Sequence, residues 1–430
     1  MTNPTRRSII KDRSTRAGTL VRPAHLPEIP PPPIGENRMD ATAFDLTQQQ
    51  QEIKERAKAF GDKWAPFAKE IDRNDAAPLK EMVQDSVEMG LAGLTIPTQY
   101  GGKNLSAIEF ALAVEEACRA MKSWMAGDIL FSTTCTGPSV IMMSDNELVK
   151  EKYLRQIASG QKTAAIALTE PDFGSATTDI ETTAVFDGDD IVINGVKKFI
   201  TGAPHYDLYA TFVRWNGTPG LKGIGAILVE KGTPGLTMET GPEFMGARGS
   251  PHGELHFTNC RIPKENFLVG EGGFGKLMQA FNMERLYISA MCLGLAQGAF
   301  DEAVAYADQR TQFGKPINEF QAIYHMIAEM WTQIESVRYM TYHAALTADG
   351  GKFPKALAVS ACKLHAADVA RDVCWKAVQI LGGNGLVSGF PPERCFRDVI
   401  VSSIAGGTTQ VLKNVIASQV LGKKLDQRRS

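Results

Sequence analysis

From Phe44 to about Gly160, apolar residues return every three or four positions in LTQQQQEIKERAKAFGDKWAPFAKEID, LKEMVQDSVEMGLAGL, LSAIEFALAVEEACRAM and ELVKEKYLRQIASG. That spacing lays one apolar stripe along a helix. PTQYGG and Pro138 read as breaks between helices. At Thr163 the period drops to two, through TAAIALTEP, TTAVFDGDDIVINGVKKFITG, DLYATFVRW, GIGAILVEK, LTMET and HGELHFTNCRI. DGDD, Asn194-Gly195, NGTPG and KGTPG supply hairpin and turn chemistry between these runs. An antiparallel sandwich or barrel of about a hundred residues is expected. From Gly275 the helical period returns and lasts to the end, in segments long and apolar enough for a packed bundle. The pattern predicts an α+β multidomain chain: an extension over 1–43, a helical domain over 44–162, a β domain over 163–272 and a helical bundle over 273–430.

Within the first helix of that bundle, Leu277, Phe281, Ile288, Met291 and Leu295 recur at steps built from three and four, and Glu284 falls in the middle of their stripe. A carboxylate on an apolar face either meets a cation or sits where desolvation raises its pKa. The first case is a salt bridge to a neighbouring helix or to Arg285; the second is how a general base is made.

Composition narrows the function. The chain has 430 residues and is 43% hydrophobic and 22% charged, values of an ordinary globular protein with more than one core. Its 46 basic and 48 acidic residues nearly cancel, which excludes the basic surplus of a nucleic-acid binder. Seven cysteines without a CxxC pair suit reduced thiols in a cytosolic-type compartment. No apolar run approaches the roughly 18 to 20 residues of a membrane span, so a soluble chain is expected. Residues 1–43 carry Arg6, Arg7, Lys11, Arg13, Arg16 and Arg22 ahead of a proline run ending at Pro33. A surface extension is the preferred reading, with a mitochondrial transit peptide as the alternative to a cytoplasmic chain.

Other motifs have plain explanations. Gly270, Gly272 and Gly275 match GxGxxG, but a dinucleotide fold needs a second strand and an acid after the helix, and here helix follows helix. They read as a flexible start to a helix. His252 and His256 share a strand face without a third ligand nearby, so no metal is expected. Arg310, Gln312 and Phe313 either close a helix before Gly314 and Pro316 or form a phosphate clasp.

ALTEPDFGSA, KKFITG, GARGSP, ELHFTNCRIP, NMERL, RTQFGKPINEFQ, QILGGNG, and FRD followed by AGGTTQV stand in the order and spacing of the acyl-CoA dehydrogenase family, which nearly the whole chain after the extension resembles. The resemblance implies an FAD enzyme with a helical domain, a β domain and a C-terminal four-helix bundle, assembled as a homotetramer. It implies an acyl-CoA substrate and an electron-transferring flavoprotein as partner. Thr169, Ser175, Phe199 and Thr201 resemble the flavin contacts of the β domain, Ser175 also reaching substrate. Arg310, Gln312, Phe313, Gln321, Gln379, Gly382 and Gly383 resemble residues that reach a neighbouring subunit's FAD, and Thr408 and Gln410 match the last FAD contacts.

Many members place a catalytic Glu directly before the Gly-Thr of the last motif, where this chain has Gly406. In isovaleryl-CoA and long-chain members the base lies on the first bundle helix, in a segment resembling NMERL, and Glu284 matches that position. This leans toward branched or longer acyl groups. The resemblance gives the Gly406 backbone N–H a share in stabilising the oxyanion. Arg285 matches the Arg of the family's DxxR, whose Asp is Asn282 here, and it either orients the site or forms a structural ion pair. Further departures are Ala176 for an acid, Phe199 for Trp, and Gly202-Ala203 for Asn-Gly.

Overall fold

A computed structural model describes residues 46–348 and 353–425; the reading of residues 1–43 lies outside them. Seven helices come first: α1 (Gln48–Trp64), α2 (Ala68–Asn74), α3 (Leu79–Glu88), α4 (Ala107–Met121), α5 (Trp124–Thr134), α6 (Thr136–Met142) and α7 (Glu147–Ala158). Thr47 with Gln50, and Ser106 with Glu109, form reciprocal capping boxes that satisfy the first free N–H groups of α1 and α4. Pro138 does not break the chain: it is the third residue of α6, where a missing N–H is harmless. All of α5 is buried.

Eight strands follow: β1 (Ala164–Ala167), β2 (Thr183–Asp187), β3 (Asp190–Thr201), β4 (Leu208–Trp215), β5 (Ile224–Glu230), β6 (Leu236–Thr240), β7 (His252–Pro263) and β8 (Phe267–Val269). They form one sheet in the order β6-β7-β3-β2-β4-β5-β8, with β1 also on β4. The sheet is mixed, unlike the antiparallel expectation. β1 runs parallel to β4, from Ala164 beside Leu208 to Ala167 beside Thr211, and β2 meets β4 in parallel over two residues. Turn chemistry marks hairpins, whereas a parallel pair closes through a long crossover that leaves no local signal. His252 and His256 do lie on one face of β7. His252 stacks on Phe244 with centroids 3.4 Å apart, and His256 lies 3.3 Å from Glu254.

The bundle begins with α8 (Phe274–Gln309), a continuous helix of 36 residues. After the short ribbon β9 (Thr311–Gln312) and β10 (Lys315–Pro316) come α9 (Gln321–Leu346), α10 (Ala356–Leu381), α11 (Pro391–Val399) and α12 (Thr409–Leu421). α8 packs against α4 on one side and against α9, α10 and α11 on the other. The stripe from Leu277 to Leu295 is buried, so α8 belongs to the first helical domain's core as much as to the bundle's. The three-domain plan of helices, sheet and helical bundle is therefore knitted together by α8.

Candidate active site

Glu284 projects from the first third of α8 and is only partly buried, unlike its neighbours on the stripe. No cation lies within ion-pair distance of it among the described residues, which removes the salt-bridge reading. Its polar neighbour is Thr136 at the start of α6, whose Oγ1 donates to Oε2 at 3.5 Å. Burial pushes the carboxyl up to about 7, while the more distant charges of Arg285 and Lys363 and the Thr136 hydrogen bond pull it back. A carboxyl poised near neutrality follows.

The loop after α11 closes over Glu284. Gly406 and Gly407 adopt φ of +66° and +94°. A Cβ on Gly406 would lie 2.7 Å from Ile288 Cδ1 and 3.8 Å from Glu284 Oε1. The space an acidic side chain would take at 406 is thus occupied by Ile288 and Glu284 of α8. The Gly406 N–H has no hydrogen-bond partner among the described residues. Arg285 turns away from Glu284: its Nε donates to the Gly406 carbonyl at 3.2 Å and its Nη1 to Asn282 Oδ1 at 3.2 Å. Asn282 in turn donates to the Pro354 carbonyl at 3.0 Å. Lys363 of α10 donates to the Gly407 carbonyl at 2.7 Å.

A second group gathers on the sheet. The Lys198 N–H donates to the Thr169 carbonyl at 2.8 Å, joining the loop after β1 to the end of β3. This brings Thr169, Phe199 and Thr201 together. Phe199 has φ of +56° and leaves its ring half exposed, a conformation costly for a bulky residue and kept where the surroundings enforce it. Beneath them Lys197 and Glu170 form a buried ion pair at 2.7 Å. Glu170 also accepts the N–H groups of Glu181 and Thr182, at 2.6 and 3.0 Å. Ser175 is exposed farther along the same loop.

A third group lies at the other end of α8. Arg310, Gln312, Gly382 and Gly383 line a cavity of about 470 Å³ with Tyr306 and Asn384. Phe313 is 95% exposed, and Gln321, at the start of α9, and Gln379, just before Gly382, are exposed as well. On a continuous helix rising about 1.5 Å per residue, Arg310 stands roughly 40 Å from Glu284. Thr408 and Gln410 fall instead beside Gly407: Thr408 Oγ1 caps α12 by accepting from the Val411 N–H at 3.2 Å, and Gln410 is exposed.

Three family models match: the N-terminal domain of acyl-CoA dehydrogenases over residues 47–161, the middle domain over 165–260 and the C-terminal domain over 271–421. The chain belongs to the acyl-CoA dehydrogenase family. It is 37% identical over 379 residues to the short-chain specific acyl-CoA dehydrogenase of Clostridium acetobutylicum, covering 88% of this chain and 99% of the relative. To the NADH acryloyl-CoA reductase of Anaerotignum propionicum it is 38% identical over 393 residues, 90% and 98% of the two chains. A solved chain from work on the electron transferring flavoprotein of Acidaminococcus fermentans and flavin-based electron bifurcation superposes with a TM-score of 0.83 at 37% identity, over 88% and 99% of the chains.

The chain is accordingly an FAD flavoprotein oxidoreductase. Its residues fit that cofactor: Phe199 leaves its ring half exposed next to the loop joined to β3 through Thr169, and the Gly406 N–H has no partner among the described residues. Sequence reasoning passed over Lys363, Lys197, Glu170 and Thr136. The signal existed for two of them. Lys363 sits in the apolar stripe of α10 between Val359 and Ala366, and Lys197 continues the inward alternation of Ile191 and Ile193.

Proposed function

We propose that this acyl-CoA dehydrogenase family member oxidises an acyl-CoA thioester to its trans-2-enoyl-CoA, with Glu284 as the base, and passes the electrons to an electron-transferring flavoprotein. The observation that carries the reading is Glu284 itself: a carboxylate without an ion-pair partner among the described residues, pushed up to about 7 by burial, facing the glycine turn at 406. A thioester's α-proton is weakly acidic, so its removal requires a positioned base and a donor for the charge that develops on the carbonyl oxygen. Glu284 takes the α-proton, and the Gly406 N–H faces the oxygen. Arg285, anchored by Asn282, holds the turn, and Ser175 contributes to substrate binding from the sheet. FAD held at this site would supply the acceptor for the hydride that leaves the β-carbon. Thr169, Ser175, Phe199, Thr201, Thr408 and Gln410 hold the flavin from within the chain. The distance of Arg310, Gln312, Phe313, Gln321, Gln379, Gly382 and Gly383 from Glu284 supports their service to a second chain's FAD in a homotetramer. Seven free, buried cysteines support a cytoplasmic, reducing location.

The similarity to an acryloyl-CoA reductase supports a second reading. A carboxyl near 7 is as ready to give a proton to an α-carbon as to take one, so the same site serves reduction of a 2-enoyl thioester. Anaerobic titration of the oxidised protein with short, branched, cyclic and long acyl-CoA esters, paired with titration of the reduced protein with 2-enoyl esters, separates the two. Bleaching by one saturated ester class supports the dehydrogenase. Reoxidation by enoyl esters without bleaching supports the reductase. A flavin that responds to neither sinks both. Adding an electron-transferring flavoprotein or oxygen to the bleached protein then identifies the acceptor.

A further inference from the structure

We propose that Lys363 is a positioning residue for this reaction: with Arg285 it clamps the two consecutive carbonyls of the Gly406–Gly407 turn and so aims the Gly406 N–H at the thioester oxygen of the substrate. The proposal rests on the acyl-CoA reading above and adds to it a residue on a different helix from the base.

The Lys363 side chain is fully buried. Buried lysines are nearly always paired with an acid, yet among the described residues no carboxylate lies within ion-pair distance of this one. Its Nζ is given instead to a backbone carbonyl, that of Gly407, at 2.7 Å. The preceding carbonyl, that of Gly406, receives Arg285 Nε at 3.2 Å. Two cations from two helices therefore hold two successive peptide planes of one turn. Both residues of that turn are glycines at positive φ, the residue type with the most conformational freedom to lose. Because each peptide is planar, the held Gly406 carbonyl fixes the Gly407 N–H of the same plane, while the Gly406 N–H belongs to the preceding plane and is joined to the held one through Gly406 alone, whose φ is +66°. Anchoring the two planes that follow limits how far the Gly406 N–H, unpartnered among the described residues, can swing. An oxyanion donor lowers a barrier to the extent that it is oriented before charge develops.

The charge has a second effect. From α8, Glu284, Arg285 and Cys292 face Lys363, and the Gly407 carbonyl faces it from the loop. Burial pushes its ammonium down to about 8, against the pull of Cys292 and Glu284, so at neutral pH a cation stands behind the turn that receives the developing enolate.

The test uses the FAD-loaded protein and its Lys363→Met and Lys363→Gln variants. A 3-oxoacyl-CoA is the probe, because it ionises to an enolate in the site without being oxidised, and the pH at which it ionises reads oxyanion stabilisation directly. Lys363→Met is expected to raise that pH by about one unit, a tenfold change. Its kcat with an oxidisable ester is expected to fall about tenfold or more while KM stays within about twofold, because the lost interaction acts on the transition state. Lys363→Gln, uncharged but still a donor, is expected to fall between. A Lys363→Met holoenzyme with unchanged ionisation and unchanged kcat overturns the proposal. If that variant does not retain FAD, Lys363→Gln decides: a shift of about threefold or more in both readouts sustains the clamp, and no shift overturns it. A wild-type protein that ionises no 3-oxoacyl ester and is bleached by no acyl-CoA fails at the acyl-CoA reading, and the clamp falls with it.

Discussion

Glu284 shows how a single residue's environment sets both chemistry and stability. Its carboxyl is raised from 4.5 to about 7 in the folded chain by burial. The rate of flavin reduction by substrate is therefore expected to rise with pH and level off above about 7 as Glu284 loses its proton; a rate independent of pH between 5 and 9 would contradict this. The same shift has an opposite sign for stability. Between 4.5 and about 7 the folded chain keeps a proton that the unfolded chain has released, so Glu284's contribution falls as pH rises through that window and is level above it. Glu284→Gln lacks this cost. It should match the wild type near pH 4 and exceed its stability by about 3 kcal/mol near pH 8, read from paired unfolding curves. A second residue-scale prediction concerns Gly406. Alanine there must adopt φ of +66° and place its Cβ 2.7 Å from Ile288 Cδ1. Gly406→Ala is expected to lose at least about 1 kcal/mol of stability and most of its activity, measured by thermal unfolding and flavin reduction.

At the scale of elements, the loop after β1 is held to β3 by the Glu170–Lys197 pair rather than by sheet hydrogen bonds alone. Burial pushes the Lys197 ammonium down to about 8, while Glu170, despite the opposing effect of burial, is held below its usual range by Lys197 and two backbone N–H groups. Breaking one side of a buried pair leaves the other charge without a partner. Glu170→Gln is expected to lower stability by about 3 kcal/mol and to weaken FAD retention, seen as a lower ratio of flavin to protein absorbance. Equal flavin content and stability would remove this role. The elements also show which structural signals a sequence carries. α8 was legible because its stripe is interrupted by one acid, and β3 and β7 because they alternate. α5 was not, since all its faces are buried and no polar side is left to define a period. Pro138 misled for a positional reason, its place in the first turn of α6. The parallel pairs of β1 and β2 with β4 depend on crossovers that no local pattern records. The site followed the same division: Glu284 stood out by its stripe, and the motif resemblance supplied Phe199 and Gly406. The clamp of Lys363 on the Gly407 carbonyl is a contact between distant segments that spacing could not supply.

On the scale of the whole molecule, α8 carries Glu284, the proposed base, near one end and Arg310 at the other, roughly 40 Å apart along about 26 residues. One chain cannot bring both to one flavin. If Arg310 serves a neighbouring chain, coexpressed Glu284→Gln and Arg310→Ala subunits should complement each other: sites with an intact Glu284 from the second chain receive an intact Arg310 from the first. Mixed assemblies are expected to recover a substantial fraction of wild-type activity when each variant alone is poor, and failure to recover would place Arg310 outside the partner's site. The central claim remains that this chain removes an α-proton from an acyl-CoA thioester with Glu284. Its most direct test is the anaerobic rate of flavin bleaching by the best acyl-CoA ester, wild type against Glu284→Gln, with FAD content and ester binding shown to be equal. The account predicts that bleaching slows by about a hundredfold or more while binding is kept. Bleaching at an undiminished rate in Glu284→Gln would contradict it and move the base elsewhere in the site.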